Sequence, residues 1–91
     1  MTKQTVADEQ AIALCEEVRV EMARHRRTSA DLAVVIDVTP HTAGRRLKAA
    51  PPFTMGELFT LAPWLGVTVA ELISRVEASA ALTPDPQAVA S

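Results

Sequence analysis

A short basic cluster is the part of this sequence best suited to contact with a charged partner. Residues 40–48 read PHTAGRRLK and bring Arg45, Arg46 and Lys48 together, with His41 one helical turn before them. The whole chain has a formal net charge of -2 and a pI of about 5.6, so the cluster interrupts an acidic background. Guanidinium and ammonium groups in such a cluster bind anions such as phosphates. The alternative is a solvated helix end whose charge complements the C-terminal helix dipole.

The basic residues of the chain are concentrated in its central part. Between residues 24 and 48 lie six of the nine basic residues but only two of the eleven acidic ones, a local balance of +4. The basic six are Arg24, Arg26, Arg27, Arg45, Arg46 and Lys48, and the two acids are Asp31 and Asp37. The sequence therefore predicts a polarised molecule with one basic face.

Length and composition predict a single helical domain with an aliphatic core. The chain has 91 residues, 48% of them hydrophobic, with two Phe, one Trp and no Tyr, which suits one domain built from Ala, Val, Leu and Ile. The N-terminal segment MTKQTVADEQ lacks the basic start and apolar run of a secretory signal. No stretch of about 18 apolar residues indicates a membrane span. We therefore expect a cytoplasmic protein with no membrane partner.

Catalytic and metal chemistry find little support in the residue pattern. The single cysteine, Cys15, cannot form an internal disulfide and is expected to be a buried helix residue rather than a nucleophile. Neither His25 nor His41 has a carboxylate or thiol at a familiar metal spacing, and His25 is expected at the surface. Three carboxylates of the first helix are expected on a solvated face: Glu16, Glu17 and Glu21. The sequence predicts a non-enzyme with no cofactor, no metal and no evident small-molecule ligand.

Periodicity and capping residues predict five helices and no strands. The first helix covers about residues 7–25, and the second begins after the N-cap Thr28. Thr39 followed by Pro40 starts a third helix that ends near residue 49. Capping boxes, in which a threonine and a glutamate three residues later bond each other's backbone N–H, start the last two helices: Thr54 with Glu57, and Thr68 with Glu71. Pro63 is expected to end or bend the fourth helix, and Gly66 suits a helix C-terminus.

The inward faces of the second and third helices follow from this arrangement. Leu32, Ala33 and Ile36 form the expected inward stripe of the second helix, while Ala43 and Leu47 face the core from the third. Two adjacent residues of the second helix, Val34 and Val35, are unusual for an exposed surface. One is expected to pack on the fourth helix, and the other to form a small partner surface.

The order and spacing of these elements resemble the lambda repressor and Cro-type helix-turn-helix domains, over about residues 18–75. Four dipeptides carry the resemblance in the family's order: Leu32-Ala33, Val38-Thr39, Thr42-Ala43 and Gly66-Val67. The resemblance implies a lambda-repressor-like all-α domain with the helix-turn-helix at about 28–49, and the five expected helices place this domain at residues 1–79. Residues 80–91 contain two prolines and little to bury, so we expect a flexible tail there. Asp37 departs from the glycine common in the family's turn, but aspartate can adopt the left-handed conformation of such a turn at a modest cost. Ser29 departs from the glutamine that holds a phosphate in many members.

The resemblance also implies which residues meet DNA. If Ala43 and Leu47 face inward, the outward side of the third helix is the side that reads bases in the major groove. The base-reading residues are then His41, Thr42, Gly44 and Arg45. The phosphate-binding residues are Thr28, Ser29, Thr39, Arg46, Lys48, Arg26 and Arg27.

Two functions remain as hypotheses. The first is a sequence-specific transcription regulator of the phage Cro or repressor type, which binds a double-stranded DNA operator in the host nucleoid as a weak homodimer through the fifth helix. The second is a protein–protein interaction module built on a helix-turn-helix scaffold. Outward basic residues on the third helix favour the first, whereas the acidic pI and the Val34-Val35 pair favour the second.

Overall fold

The described part of the chain forms five helices joined by short loops. The computed structural model describes the backbone of residues 6–82 and the side chains of residues 9–79, and it has no strand within that part. The helices are α1 (Val6–Arg24), α2 (Ser29–Ile36), α3 (Pro40–Leu47), α4 (Met55–Trp64) and α5 (Val69–Leu82). The predicted all-α class with five helices is confirmed.

Capping residues begin the helices where the sequence predicts. The Thr28 hydroxyl accepts the N–H of Asp31 at 3.2 Å, and the Asp31 carboxylate accepts the N–H of Thr28 at 2.9 Å, so α2 has a complete capping box. The predicted boxes at the starts of α4 and α5 are also present. Thr39 caps α3, and Pro40 occupies its first turn. The starts of α2, α3, α4 and α5 are therefore fixed by residues at most three positions apart in the sequence.

The helix ends differ from the predicted ends by a few residues. α3 ends at Leu47, two residues before the expected position, and α4 continues one residue past Pro63 to Trp64. Gly66 follows α4 with a φ of 73°, as its predicted role at a helix end requires. α5 runs to Leu82, three residues past the expected end of the domain. The rest of the expected tail, residues 83–91, lies outside the described residues.

The core is built on α2, which lies between α3 and α4. Leu32, Ala33 and Ile36 of α2 are buried, and Ala43 of α3 is fully buried, all as predicted. α3 packs against α2 and α1, α4 packs against α2 and α5, and α5 packs back on α1. Leu47 is only half-buried at the edge of this core. The arrangement leaves the side of α3 opposite Ala43 uncovered.

The prediction that Glu21 lies on a solvated face is wrong. This residue is only 3% exposed, and its Oε2 accepts hydrogen bonds from Nη1 of Arg75 at 2.5 Å and Nη1 of Arg24 at 2.9 Å. The Nε2 atom of His25 lies 3.7 Å from its Oε1. Helical spacing could not foresee this burial, because Arg75 belongs to α5. The Glu21–Arg75 pair therefore joins α1 to α5 at a buried point.

The electrostatics of this pair favour its charged form. The hydrogen bond from Arg75 lowers the pKa of the Glu21 carboxyl, the charges of Arg75, Arg24 and His25 act in the same direction, and burial opposes them. The same hydrogen bond raises the pKa of Arg75. A carboxyl whose pKa is lower in the folded than in the unfolded state stabilises the fold fully above its unfolded-state pKa. That contribution is lost as the pH falls through the folded-state pKa.

Replacing Glu21 with an uncharged residue of the same shape tests this contribution. At neutral pH we expect Glu21→Gln to lower the free energy of unfolding by about 1–3 kcal/mol, because Arg75 and Arg24 lose a charged acceptor. The difference from the wild type should shrink below about pH 4.3, where the wild-type carboxyl also becomes protonated. Urea unfolding measured from neutral pH down to about pH 3 reports both effects.

Glu16→Gln is the matched control on the same helix. Glu16 forms an exposed pair with Arg19 at 3.5 Å, so its loss should change stability by no more than about 0.5 kcal/mol. A Glu21→Gln deficit that stays constant into acid would contradict the lowered pKa.

Asp37 ends α2 in the left-handed conformation, with φ 59° and ψ 53°. The Asp37 N–H bonds to the carbonyl of Ala33, and the N–H of Val38 reaches the same carbonyl at 2.9 Å. These bonds turn the chain from α2 into α3. The sequence-based expectation that aspartate tolerates this turn is confirmed by its backbone angles.

Two substitutions at Asp37 should distinguish the strain of its left-handed backbone from the conformational entropy of the unfolded chain. Asp37→Gly relieves about 1 kcal/mol of left-handed strain but gives the unfolded chain a similar gain in entropy, so we expect a net change within about 0.5 kcal/mol. Asp37→Val should destabilise by about 1–2 kcal/mol, since a β-branched residue is strained at positive φ. Thermal unfolding of the two variants measures the contrast, and equal stabilities would contradict the turn geometry.

Candidate nucleic-acid interface

Three exposed polar or basic side chains lie along the outward side of α3 and at its C-cap, Lys48. His41, Arg45 and Lys48 are exposed at spacings of four and three residues, while Ala43 on the opposite side is fully buried. Thr42 and Gly44 lie at the half-exposed borders. The exposure of His41 and Arg45 agrees with the predicted outward side of the helix, whereas Gly44, also predicted to lie outward, is only partly exposed.

The cap of α3 also orients Thr42. The Thr39 hydroxyl accepts the N–H of Thr42 at 3.1 Å and donates its own proton to the Thr42 hydroxyl at 3.0 Å. Because Thr42 Oγ1 is the acceptor in this bond, its hydroxyl proton can still be donated outward. The predicted roles differ accordingly: Thr42 presents a donor, whereas the hydroxyl of Thr39 is engaged in capping.

Arg45 is anchored at its base and open at its tip. Its Nε donates to the carbonyl of Ala50 at 3.0 Å, and the residue is exposed. The two terminal nitrogens of the guanidinium therefore remain able to form a paired, planar contact with an outside acceptor. Anchoring the side chain also reduces the rotamer freedom that it must lose on binding.

Gly44 leaves the middle of this helix without a side chain. A Cβ built on Gly44 would meet nothing within 4 Å, so packing inside the protein does not require a glycine there. Glycine in a helix costs about 1 kcal/mol relative to alanine. An open backbone beside Arg45 lets an external surface approach α3 closely.

Arg46 differs from its expected orientation. Its side chain is only 18% exposed, and its Nε donates to Oε1 and Oε2 of Glu57 at 3.0 and 3.3 Å. The expectation of an exposed Arg46 is therefore wrong, because its partner comes from α4. Glu57 also accepts the N–H of Thr54 at the α4 cap. Arg46 thus positions α3 against the start of α4, and its phosphate role loses support.

Arg24 at the end of α1 and the two arginines that follow it are all exposed but differ in their partners. Arg24 is paired with Glu21, and the Arg27 guanidinium carbon lies 5.3 Å above the ring centroid of Trp64, a cation–π contact that keeps its charge. Arg26 is exposed. No carboxylate of the described side chains lies within 4 Å of four basic groups: Arg26, Arg27, Arg45 and Lys48. These four are the uncompensated part of the predicted +4 tract.

A shallow groove of about 270 Å³ lies at the start of α2 and is open to solvent. Thr28 and Ser29, both predicted to contact phosphate, line it together with Arg27 and Arg19. The sequence analysis did not identify Arg19 as a residue of this groove. Ala23 also lines the groove, and because it lies four residues after Arg19, the two residues share one face of α1. Asp31 works against an anion here, since its pKa is lowered by the hydrogen bonds from Thr28 and it stays charged at the helix start.

Other chemistries have no assembled site among the described residues. No three His, Cys, Asp or Glu side chains in that part of the chain come together as a metal site. Cys15 is buried, and burial raises the pKa of its thiol, which disfavours the reactive thiolate.

Within residues 6–82, no single helix is long and apolar enough to cross a membrane. α4 and residues 69–79 together have the length and apolar content of a membrane span, but they are bent by 101° relative to each other.

Comparisons with protein-family models, curated proteins and solved structures found no match for this chain.

Because Arg46 is paired with Glu57 whereas Arg45 is exposed, the two neighbours should contribute differently to the stability of the fold. Arg46→Ala should lower the free energy of unfolding by about 1–2 kcal/mol, because it leaves the Glu57 carboxylate, 14% exposed, without its cationic partner. Arg45→Ala removes an exposed side chain and should cost no more than about 0.5 kcal/mol. Chemical denaturation of the two variants measures this difference, and equal losses would argue against the Arg46–Glu57 pair.

Proposed function

We propose that this protein is a sequence-specific, double-stranded DNA-binding regulator that inserts α3 into the major groove. The observation that carries the proposal is the exposed row of His41, Arg45 and Lys48 on a helix whose other side is fixed by buried Ala43. Two short helices joined by the left-handed turn at Asp37 support a helix-turn-helix of the lambda repressor and Cro type.

The exposed side chains suit two different roles in DNA binding: hydrogen bonds to base edges and contacts with phosphates. The free terminal nitrogens of Arg45 match O6 and N7 of a guanine, which both accept hydrogen bonds in the major groove. His41 and the outward proton of Thr42 each suit one further base-edge group. Lys48 and Arg26 are exposed and suit contacts with phosphates. Occupation of an operator by such a domain would block transcription.

The charge distribution predicts modest affinity with a clear salt dependence. Arg24 and Arg46 are engaged by Glu21 and Glu57, so about three or four cations per subunit are left for DNA. Each neutralised phosphate contributes about -0.9 to the slope of log affinity against log salt, so we expect a slope near -3 per subunit. Two subunits on adjacent half-sites, about 34 Å apart, would double this slope and provide specificity.

A selection from a random duplex pool, followed by two arginine variants, tests the proposal. Arg45→Ala should bind the selected site more weakly by about 1–3 kcal/mol and lose preference at one base pair. Arg26→Ala, the matched control outside α3, should weaken all sequences alike and reduce the salt slope by about 0.9. Binding measured by fluorescence anisotropy across a salt series separates the two effects.

Thermal melts supply the folding control for both variants, since Arg45 and Arg26 are exposed. If no sequence is enriched from the pool, or if Arg45→Ala keeps its affinity and base preference, α3 is not a reading helix.

A protein–protein interaction module remains the second candidate because of Val34. This side chain is 82% exposed in the middle of α2, whereas its neighbour Val35 packs against the core. A failed selection together with a partner whose binding is lost in Val34→Glu would favour this second function.

A further inference from the structure

The outer side of α4 is an apolar stripe. Met55 and Phe59 are 57% and 63% exposed, and Pro63, a further turn along, is also exposed. Residues four apart lie on the same side of a helix. Gly56 and Thr60 flank the stripe and are likewise exposed and uncharged. Contiguous exposed apolar surface of this kind is typical of an interaction site.

A groove adjoins this stripe at the corner between α4 and α5. The corner groove has a volume of about 250 Å³ and an almost entirely apolar lining: Phe59, Ala62, Pro63, Val67, Thr68 and Val69. Phe59 therefore stands at the edge of a groove that can take an apolar side chain. A projecting aromatic residue and an apolar groove lie side by side on one face.

The charge pattern of this face indicates what covers it. Residues 51–70 contain one charged residue, Glu57, and that carboxylate is occupied by Arg46. In a two-fold dimer identical faces meet, so any net charge on the face would repel itself. A highly charged partner would find no complementary group on this surface. A second copy of the chain meets neither difficulty, because its matching face is uncharged.

We propose that two copies of the chain associate through this face, with Phe59 of each copy seated in the corner groove of the other. Such an arrangement is closed by a two-fold axis and buries both exposed aromatic rings. It assigns the dimer contact to α4 and the corner groove rather than to α5, since Leu72 and Val76 of α5 are already buried in the core. α4 packs mainly against α2 and α5 and contacts α3 through the Arg46–Glu57 pair. Since neither the stripe nor the corner groove includes His41, Arg45 or Lys48, the basic row of α3 stays open.

Sedimentation velocity of the full chain without nucleic acid tests this interface. Over about 10 μM to 1 mM the wild type should pass from monomer to dimer, as expected for a weak contact. Phe59→Glu should raise the dissociation constant by about tenfold or more, because it places two like charges at the contact and removes the ring. Met55→Glu, one turn earlier on the stripe, should act in the same direction.

Ile12→Glu is the matched control, since it adds the same charge at an apolar residue of α1 that is 50% exposed. It should leave the association unchanged, and circular dichroism should show the same helix content in all the variants. A wild type that stays monomeric throughout, a Phe59→Glu variant that dimerises normally, or an equal loss in Ile12→Glu would each overturn the proposal. Should Phe59→Glu fail to fold, Met55→Glu decides alone. The absence of DNA keeps this result separate from the proposed function.

Discussion

The burial of Ala43 against α2 is the contact on which the rest of the basic surface depends. α3 has eight residues, and a helix that short is not stable alone in water. It holds its shape because Thr39 and Pro40 start it, and because the small side chain of Ala43 lets it lie close to α2. A larger residue at that position would push α3 outward and change the direction of every exposed side chain on it. The directions of the exposed His41, Arg45 and Lys48 side chains therefore depend on the small size of Ala43.

A second constraint is the way the molecule distributes its charges. Glu21 engages Arg24 of the central tract within α1 and also pairs with Arg75, which joins α1 to α5, while Glu57 engages Arg46 of the tract and joins α3 to α4. The pairs fix the arrangement of the helices but subtract from the charge that can act on a partner. What remains uncompensated is a smaller basic surface than the +4 tract suggests, focused on α3 and the end of α1. A focused surface favours contact with a defined site over general attraction to polyanions.

The uncharged outer face of α4 complements this arrangement. A molecule with an acidic α1, a basic α3 and a neutral α4 can use different faces for different partners without interference. The tie between Arg46 and Glu57 contributes to this separation, since it neutralises the only charged residue of residues 51–70. One ion pair thus both positions α3 and keeps the face of α4 free of charge.

The sequence by itself determined the features that depend on neighbours along the chain. The caps at Thr28, Thr39, Thr54 and Thr68 join residues three apart, and the alternation of Ala43 with the exposed residues of α3 follows from helical periodicity alone. The left-handed turn at Asp37 was expected from the resemblance, which places a turn there, and from the ability of aspartate to adopt this conformation. The positive φ angles of Arg26 and Ala49 were not predicted.

Only the tertiary structure decided which charged groups are paired. Arg75 meets Glu21 across 54 residues, and Arg46 meets Glu57 across 11. Periodicity assigns a polar residue to the solvent side, but it cannot identify a partner on another helix that makes burial of a carboxylate favourable. The predicted solvated Glu21 and exposed Arg46 were wrong for this one physical reason.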